Sequence, residues 1–297
     1  MTAIFSTRRS LLRRSALAVA SLAVSGPLSA LPACAEEPHP HRAPYNTLSD
    51  EDEIALGKIL ATNLEKDLQL VSSYSIDIYL KGLMDKLAAV SQRPTLPYHC
   101  RLVNSMEINA FSIAGGGVYL NRGLVEFATS EDQLAAALAH EIGHVVGRHS
   151  TNEIMLTFQA RRAYDLVRNN IPAHSQMIQN VIEKLGGTLA LLAMLHYSRE
   201  NEFEADMLGF YEMLRAGYEP AGMLDLFQKF TVLENQPNAI SIPFLRDHPP
   251  AEDRATSIRQ ELQQVSVPAG ASADSFRFHA FKLSMNLLPK PRESARP

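Results

Sequence analysis

The stretch His140-Glu141-Ile142-Gly143-His144 has the pattern HExxH. Residues four positions apart share one face of a helix, so the imidazoles of His140 and His144 can bind a single metal ion. Glu141 follows the first histidine, where a carboxylate can reach a water molecule beside that metal. The pattern predicts a zinc site, although two histidines that only satisfy their hydrogen bonds would fit the same five residues.

The flanking residues predict that this pattern lies within a helix. Apolar residues recur at helical spacing on either side, and Ala135-Ala136-Ala137 would allow close packing against neighbouring elements. Ser130 followed three residues later by Gln133 fits a capping box, so we expect the helix to begin there. We expect His149 to lie at the end of the helix, because the dipole at a helix C-terminus favours a histidine.

The residues themselves leave the third metal ligand open. A histidine six residues after His144 would complete one known zinc pattern, but that position is Ser150. A distant glutamate is the other common solution, and residues 198–206 are rich in carboxylates. Two pairs there have the four-residue spacing of a shared helical face: Glu202 with Asp206, and Glu200 with Glu204. Spacing does not decide between the pairs, and a solvated acidic helix would also fit.

The sequence resembles metallopeptidase family 48, the HtpX/BepA/CAAX-prenyl-protease type of zinc metalloendopeptidases. SRENEFEAD at residues 198–206 resembles the SRxxExxAD segment of this family, and HEIGHVVGRHS at residues 140–150 is typical of its HExxH helix. The resemblance implies that Glu202 is the third zinc ligand. It also makes Asp206 the later aspartate of the pattern, suited to orienting a histidine ligand.

Two further motifs match the family in the same order along the chain. Asn109-Ala110-Phe111, followed by Gly115-Gly116-Gly117-Val118-Tyr119, resembles the NAF…GG…Y strand pair beside the family's cleft. Ala114-Gly115 occupies the region where the family usually has a proline. His248-Pro249 with Arg254 resembles the late HP…R segment, and the resemblance as a whole spans about residues 50–262.

The resemblance implies the chemistry of the site. One Zn²⁺ per chain is expected, with these ligands: His140, His144 and Glu202. Glu141 would be the general base, and His248 and Arg254 would be candidate donors to the oxyanion of the transition state. His248 has a second implied role as a removable fourth zinc ligand that holds the enzyme latent. A stiff turn at His248-Pro249-Pro250 is the structural alternative.

The resemblance also implies an α+β, mainly helical fold of the gluzincin type, with the HExxH helix against a small antiparallel β-sheet. The sequence patterns predict helices near residues 49–70, 76–90, 152–169, 175–197, 199–216, 220–234 and 251–265. They predict strands near residues 98–105, 108–113 and 117–121. We expect a signal peptide at 1–35, a linker at 36–48, a zinc metallopeptidase domain at 49–285 and a disordered tail at 286–297. No tetratricopeptide array is expected.

We expect substrate to bind at the edge of the small sheet. An extended peptide there would pair its backbone with the strand and place alternate side chains in pockets. The expected binding residues are Asn109, Ala110, Phe111, Gly116 and Gly117, which could instead form only a tight hairpin. Because such binding needs an extended chain, we expect unfolded or misassembled envelope proteins as substrates. The rival hypothesis is a chaperone or assembly factor with latent proteolysis.

The N-terminus has the pattern of an export signal. Residues 7–13 resemble a twin-arginine motif, and the apolar run at 16–24 is too short to span a bilayer comfortably. Cleavage after Ala35 would release a soluble periplasmic protein. Leu31-Pro32-Ala33-Cys34 also resembles a lipobox, which would lipidate Cys34 and give an outer-membrane lipoprotein. The ordinary secretory route and an uncleaved anchor are further alternatives.

Composition agrees with one catalytic domain of ordinary size. The chain has 297 residues, of which 46% are hydrophobic, enough for one substantial core. Its formal net charge is −4, and no basic block stands out beyond the N-terminus, so we expect no nucleic-acid partner. Cys34 and Cys100 are the only cysteines, so cleavage leaves no pair for an intramolecular disulfide.

Overall fold

The computed structural model describes residues 39–40, 43–166, 197–235, 243–248 and 251–291. They belong to one compact unit, Cys34–Pro297. Four predictions lie wholly or mostly outside the described residues: the signal peptide at 1–35, the candidate lipid site at Cys34, the helix at 175–197 and the end of the tail.

The described residues form mainly helices, numbered here in chain order. They are α1 Asp50–Leu64, α2 Tyr74–Ala88, α3 Arg122–Phe127, α4 Glu131–Val146, α5 His149–Leu166, α6 Arg199–Ala216, α7 Ala221–Glu234, α8 Pro243–Asp247, α9 Ala251–Leu262 and α10 Phe276–Ser284. The strands are β1 His99–Val103, β2 Ala110–Ile113 and β3 Gly117–Asn121. This arrangement confirms the predicted α+β, mainly helical class with the HExxH helix beside a small sheet.

The sheet differs from the expected antiparallel one because it is mixed. Its order is β1-β3-β2, with β2 antiparallel to β3 and β1 parallel to β3. The tight turn Ala114–Gly116 joins β2 to β3 as a hairpin, and the six-residue connection before β2 allows that strand to lie beyond β3. The strand patterns predict the elements but not their order. Because β3 lies between the other two strands, β2 is an outer strand.

Helix α4 lies at the centre of the domain, and all of its residues are buried. It packs mainly against α6, and also against α7 and β2. Small residues allow the close approach of α4 and α6. A Cβ atom added at Gly143 would lie 2.4 Å from the carbonyl oxygen of Ala205, and one at Gly209 would lie 2.8 Å from the carbonyl carbon of Ala139. The predicted close packing of this helix therefore comes from glycines as well as alanines.

The start of α4 corrects the predicted capping box. The helix begins after Ser130 as expected, but the Ser130 side chain makes no capping bond to the helix backbone and instead donates to Asp132. The side-chain oxygen of Gln133 accepts from the backbone nitrogen of Thr129 at 3.0 Å. Gln133 therefore reaches back four residues rather than three, and the reciprocal pair of a capping box does not form.

Residues on both sides of the expected domain at 49–285 contact it. In the predicted linker, Asn46 is buried and donates from Nδ2 to Thr151 Oγ1 at 3.0 Å and to Asn152 Oδ1 at 2.8 Å, near the start of α5. In the predicted tail, the carbonyl oxygen of Pro289 accepts from Asn104 Nδ2 at 3.1 Å. Among the described helices, none is both long and apolar enough to cross a membrane.

An ion-pair network joins α1 to the turn after α4. Arg148 lies in the left-handed region at φ 58°, and its Nη1 is 2.6 Å from Glu53 Oε1. Arg93 Nη2 is 2.7 Å from Asp50 Oδ1, and Arg93 Nη1 donates to the carbonyl oxygen of Val145 at 2.9 Å. Because a non-glycine residue rarely adopts positive φ, these contacts must hold the turn that leads from α4 into α5.

Candidate metal centre

The two histidines of the HExxH pattern meet on the inner face of α4. His140 Nε2 lies 3.0 Å from His144 Nε2, and both side chains are almost completely buried. Four residues offer one ligand atom each, with all four atoms within 4.8 Å of one another: His140, His144, Glu202 and His248. Helices α4 and α6 and the residue after α8 therefore bring a set of metal-binding groups to one place.

Glu202 is the acidic residue of α6 that reaches this cluster. Its Oε1 lies 3.4 Å from His144 Nε2, and its Oε2 lies 3.6 Å from His140 Nε2. The close approach of α6 to α4 through Gly209 and Gly143 brings the carboxylate this near. The fold thus places the pair Glu202 and Asp206, rather than Glu200, at the two histidines.

The protonation states of these groups suit a metal ion. Burial, followed by the charge of Arg254, lowers the pKa of His140 well below its ordinary value, and burial chiefly lowers the pKa of His144. Burial raises the pKa of Glu202, but the charges of His248 and Arg254 outweigh it and hold this pKa well below its ordinary value. Two neutral imidazoles and one carboxylate are a donor set that fits a divalent cation.

Asp206 and Arg254 lie behind His140. Asp206 Oδ1 is 2.8 Å from His140 Nδ1, the ring nitrogen that faces away from the cluster. The guanidinium of Arg254 binds both carboxylate oxygens of Asp206, through Nε and Nη2, each at 2.7 Å. This places Asp206 where the sequence predicted a carboxylate that orients a ligand. The bidentate contact in turn fixes the direction of that carboxylate.

Arg254 is fully engaged with protein groups, which differs from its expected role as a donor to the oxyanion. Beyond Asp206, its Nη1 lies 3.0 Å from Glu202 Oε2 and donates to the carbonyl oxygen of His248 at 3.2 Å. Burial alone would lower the pKa of Arg254, but the charges of Asp206 and Glu202 raise it above its ordinary value. The guanidinium of Arg254 therefore lies behind the candidate ligands and holds their side chains in position.

His248 lies between the cluster and Glu141. Its Nδ1 is 3.0 Å from Glu202 Oε1 and 3.3 Å from His140 Nε2, and its Nε2 is 3.6 Å from Glu141 Oε1. The side chain is buried, and its ring lies 4.8 Å from that of Phe244 in α8. The position is compatible with either implied role, a fourth ligand or a hydrogen-bond donor.

Glu141 is buried beside the cluster without a hydrogen bond to either carboxylate oxygen from the part of the chain that the structure describes. Burial raises its pKa, opposed chiefly by the charge of His248. A buried acceptor normally has a partner, because leaving one unpaired costs about 1–3 kcal/mol. These two oxygens therefore fit a site completed by a metal ion and water.

His149 contradicts the expectation of a simple helix-terminal histidine. It begins α5 and is completely buried, with Nδ1 2.9 Å from His144 Nδ1 and Nε2 2.8 Å from Glu204 Oε2. The ring of Tyr197 stacks on His144 at a centroid distance of 4.2 Å. Sequence reasoning missed both neighbours. The turn at Arg148 that directs His149 inward requires positive φ, which arginine seldom adopts and a sequence pattern does not reveal.

The expected substrate-binding residues fall into two groups. Asn109 lies before the outer strand β2, where its Nδ2 donates to Asp247 Oδ2 at 3.3 Å, and Ala110 and Phe111 begin that strand. Gly116 and Gly117 instead pack in the turn and at the start of β3. A Cβ atom at Gly116 would lie 3.2 Å from Tyr98 Cα, and one at Gly117 would lie 2.9 Å from Ile113 Cγ1. Close packing accounts for these two glycines.

This combination of fold and site defines a metallopeptidase-type domain. An HExxH helix carries two histidines, a second helix supplies a distant glutamate, and a small sheet lies alongside. The chain belongs to peptidase family M48, whose family model matches residues 77–262, more than half of its length. The family implies a metal ion at the four-residue cluster.

Several characterised proteins are similar to this chain. It is 29% identical to the beta-barrel assembly-enhancing protease of Yersinia pestis over 280 residues, which cover 89% of this chain and 56% of that protein. It is 28% identical to the mitochondrial metalloendopeptidase OMA1 of Schizosaccharomyces pombe over 68% of this chain and 57% of that protein. It is 25% identical to the metalloprotease YcaL of Escherichia coli K12 over 73% of this chain and 82% of that protein. The chain spans about half the length of the beta-barrel assembly-enhancing proteases that it matches.

Proposed function

We propose that this protein is a zinc-dependent endopeptidase that hydrolyses peptide bonds of unfolded or misassembled envelope proteins, with Glu141 as the general base. One observation carries the proposal. The candidate ligand atoms of His140, His144 and Glu202 converge in a buried cluster, beside a buried Glu141 carboxylate whose oxygens make no hydrogen bond of standard geometry with the described residues. A metal ion and a water molecule would satisfy both groups.

The donor set supports zinc as the metal. Two neutral imidazole nitrogens and one carboxylate oxygen are the protein ligands of many catalytic zinc sites, which keep a further position for water or substrate. The opposite ring nitrogen of His140 lies 2.8 Å from Asp206, the carboxylate–histidine arrangement that orients such ligands. We propose one zinc ion per chain, held by His140, His144 and Glu202.

Each residue of the proposed site has a separate role in the reaction. A bound zinc ion supplies Lewis-acid chemistry, which polarises the scissile carbonyl group and lowers the pKa of water. Glu141 takes a proton from the attacking water on a carboxylate oxygen and delivers it to the leaving amine. Asp206 holds the proton of His140 on Nδ1, and Arg254 keeps Asp206 and Glu202 in place. We therefore assign Arg254 a positioning role rather than that of an oxyanion donor.

His248 has two possible parts in this scheme. Its Nε2 faces Glu141 at 3.6 Å, which suits a donor to the oxyanion that forms on the scissile carbonyl. Its Nδ1 lies 3.3 Å from His140 Nε2, which suits a fourth ligand. A fourth protein ligand would close the position that a catalytic site keeps open, so His248 would have to leave before substrate is cleaved.

The outer strand β2 supports an extended polypeptide as the substrate. Its outer edge, beyond the pairing with β3, offers backbone groups to which a peptide could add as a further strand. Ala110 and Phe111 would contact that peptide, with Asn109 at its end. Folded proteins rarely present a free extended segment, which favours unfolded or misassembled polypeptides.

The names of the relatives from Yersinia pestis and Escherichia coli, and the predicted export signal, favour the periplasm or a lipid-anchored form through Cys34.

The test of the proposed activity compares zinc-loaded wild type with Glu141→Gln on casein and on an unfolded outer-membrane protein. Removing the base should lower kcat by about 100- to 10,000-fold, the range of general acid–base catalysis. Zinc content should remain one ion per chain in both proteins, because Glu141 is not a ligand. Equal cleavage by both proteins, or none by the wild type with full zinc, would contradict the proposal.

A chaperone or assembly factor with latent proteolysis is the second candidate. The observation that favours it is the place of His248 among the four potential ligands, since a closed site would bind zinc without turnover. Cells lacking the protein separate the two hypotheses. If Glu141→Gln restores outer-membrane protein assembly as well as the wild type does, the binding role is favoured over proteolysis.

A further inference from the structure

His144 has a relay of two side chains behind it that parallels the Asp206 contact of His140. His144 Nδ1 lies 2.9 Å from His149 Nδ1, and His149 Nε2 lies 2.8 Å from Glu204 Oε2. His149 is completely buried, and the Glu204 side chain is 17% exposed. The relay therefore runs from the ligand cluster to a carboxylate at the edge of the domain.

Only one arrangement of protons satisfies all these contacts when His144 is a ligand. His144 faces the cluster with Nε2, so a neutral ring that offers this lone pair carries its proton on Nδ1. That proton requires an acceptor, and the nitrogen 2.9 Å away is His149 Nδ1. His149 then carries its own proton on Nε2, from which it donates to Glu204.

We propose that His149 and Glu204 are positioning residues that fix the ring orientation and the protonated nitrogen of His144. The inference rests on the proposed zinc site, which it deepens. Helix α6 would then supply three carboxylates to one centre: Glu202 as a ligand, Asp206 behind His140, and Glu204 behind His144 through His149.

The backbone around His149 is built to hold this ring. A Cβ atom at Gly147 would lie 2.4 Å from His149 Nε2, so glycine leaves the space that the imidazole occupies. The next residue, Arg148, adopts positive φ and is held by Glu53, which turns the chain so that His149 faces the cluster. A histidine that only filled the core would need neither the partner nitrogen nor the carboxylate.

Zinc affinity, measured by competition with a chromogenic chelator, tests this relay. His149→Phe keeps a ring but loses both hydrogen bonds, and Glu204→Ala removes the terminal acceptor. Each should weaken zinc binding by about 10- to 100-fold, the usual effect of removing a group that orients a ligand. The double variant should lose no more than His149→Phe alone, because both side chains act through one chain of contacts.

His279→Phe is the matched control. His279 also pairs with an aspartate, with Nε2 2.6 Å from Asp274 Oδ2, but it lies exposed on α10. Its replacement should leave the zinc dissociation constant unchanged. His149→Asn should recover part of the affinity, because its side-chain oxygen can accept from His144 Nδ1, whereas a role in packing alone predicts no such recovery.

A zinc dissociation constant for folded His149→Phe within twofold of the wild-type value would overturn the relay. If that variant does not fold, Glu204→Ala decides in its place, because its partly exposed side chain is easier to remove. An unchanged dissociation constant in Glu204→Ala would then count against the relay. Absence of zinc binding by the wild-type protein would overturn the proposed function as well, which separates the two failures.

Discussion

At the scale of single residues, the buried guanidinium of Arg254 is paired with buried side chains of opposite charge. Arg254 is buried together with Asp206 and Glu202, and its three nitrogens contact both carboxylates and a backbone oxygen. Removing one member of a buried ion pair leaves an uncompensated charge in a medium that solvates it poorly. The guanidinium therefore stabilises the arrangement of ligands even before a metal ion binds.

We expect Arg254→Met to lower the free energy of unfolding of the metal-free protein by about 3–5 kcal/mol, the usual effect of breaking a buried pair. The control is Arg199→Met, since Arg199 forms an exposed pair with Asp253 at 3.3 Å. Exposed pairs contribute about 0–1 kcal/mol, so this variant should unfold almost like the wild type. Denaturant unfolding of the three metal-free proteins measures both effects, and equal small losses would contradict this account.

The ion pairs of Asp50 should make stability depend on pH. Burial raises the pKa of Asp50, but the hydrogen bond and charge of Arg93 and the charge of Arg148 outweigh it and lower the pKa overall. A lowered pKa in the folded state contributes stability above the unfolded-state pKa of about 3.9, and this contribution disappears as pH falls through the folded-state pKa. We expect wild type to be more stable than Asp50→Asn at pH 6, and the difference to shrink and then vanish as pH falls through the lowered folded-state pKa of Asp50. A difference that grows on acidification, measured by denaturant unfolding, would contradict the assignment.

At the scale of elements, the distance between α4 and α6 determines whether the ligands meet. Glycines lie at their contact, and a Cβ atom at Gly209 would lie 2.9 Å from the backbone nitrogen of His140. The atoms that this Cβ would meet belong to the backbone of α4, so no side-chain movement can relieve the clash. The two helices would have to separate, and Glu202 would move away from the histidines with α6.

We expect Gly209→Ala to destabilise the protein by about 1–3 kcal/mol through overpacking and to weaken zinc binding. Gly82→Ala in α2 is the matched control, because the added Cβ would meet no atom of the described residues within 4 Å apart from its chain neighbours and the backbone of its own helix. That variant should be stabilised by about 0.5–1 kcal/mol, since alanine favours a helix over glycine. Thermal unfolding measures the stability of the two variants, and competition with a chelator measures their zinc affinity. Equal stability and equal zinc affinity in the two variants would contradict the role of close packing.

The elements also show which parts of the site can be predicted from sequence. HExxH predicts two ligands because helical spacing is local, and α6 matches its predicted residues 199–216. Choosing Glu202 over Glu200 required a family resemblance, because the face of α6 that meets α4 depends on contacts between distant residues. The relay through His149 and the parallel pairing of β1 with β3 depend on a positive-φ turn and on strand order, neither of which leaves a periodic pattern.

At the scale of the whole molecule, the cluster exists only when distant parts of the chain fold together. Its groups come from α4, from α6 and from the residue after α8. His140 and His248 are more than 100 residues apart in the sequence. A site assembled in this way binds metal in the folded state but not in the unfolded chain, so metal affinity couples to folding. The proposed zinc ion at this position would connect the fold with the proposed hydrolysis and with the relay behind His144.

The most direct test of this centre is an anomalous difference map, collected at the zinc absorption edge from crystals grown with zinc. We expect one strong peak per chain, at about 2.0–2.2 Å from the Nε2 atoms of His140 and His144 and from a carboxylate oxygen of Glu202. A zinc-replete crystal with no peak among these three side chains, or with the metal bound elsewhere, would contradict the account.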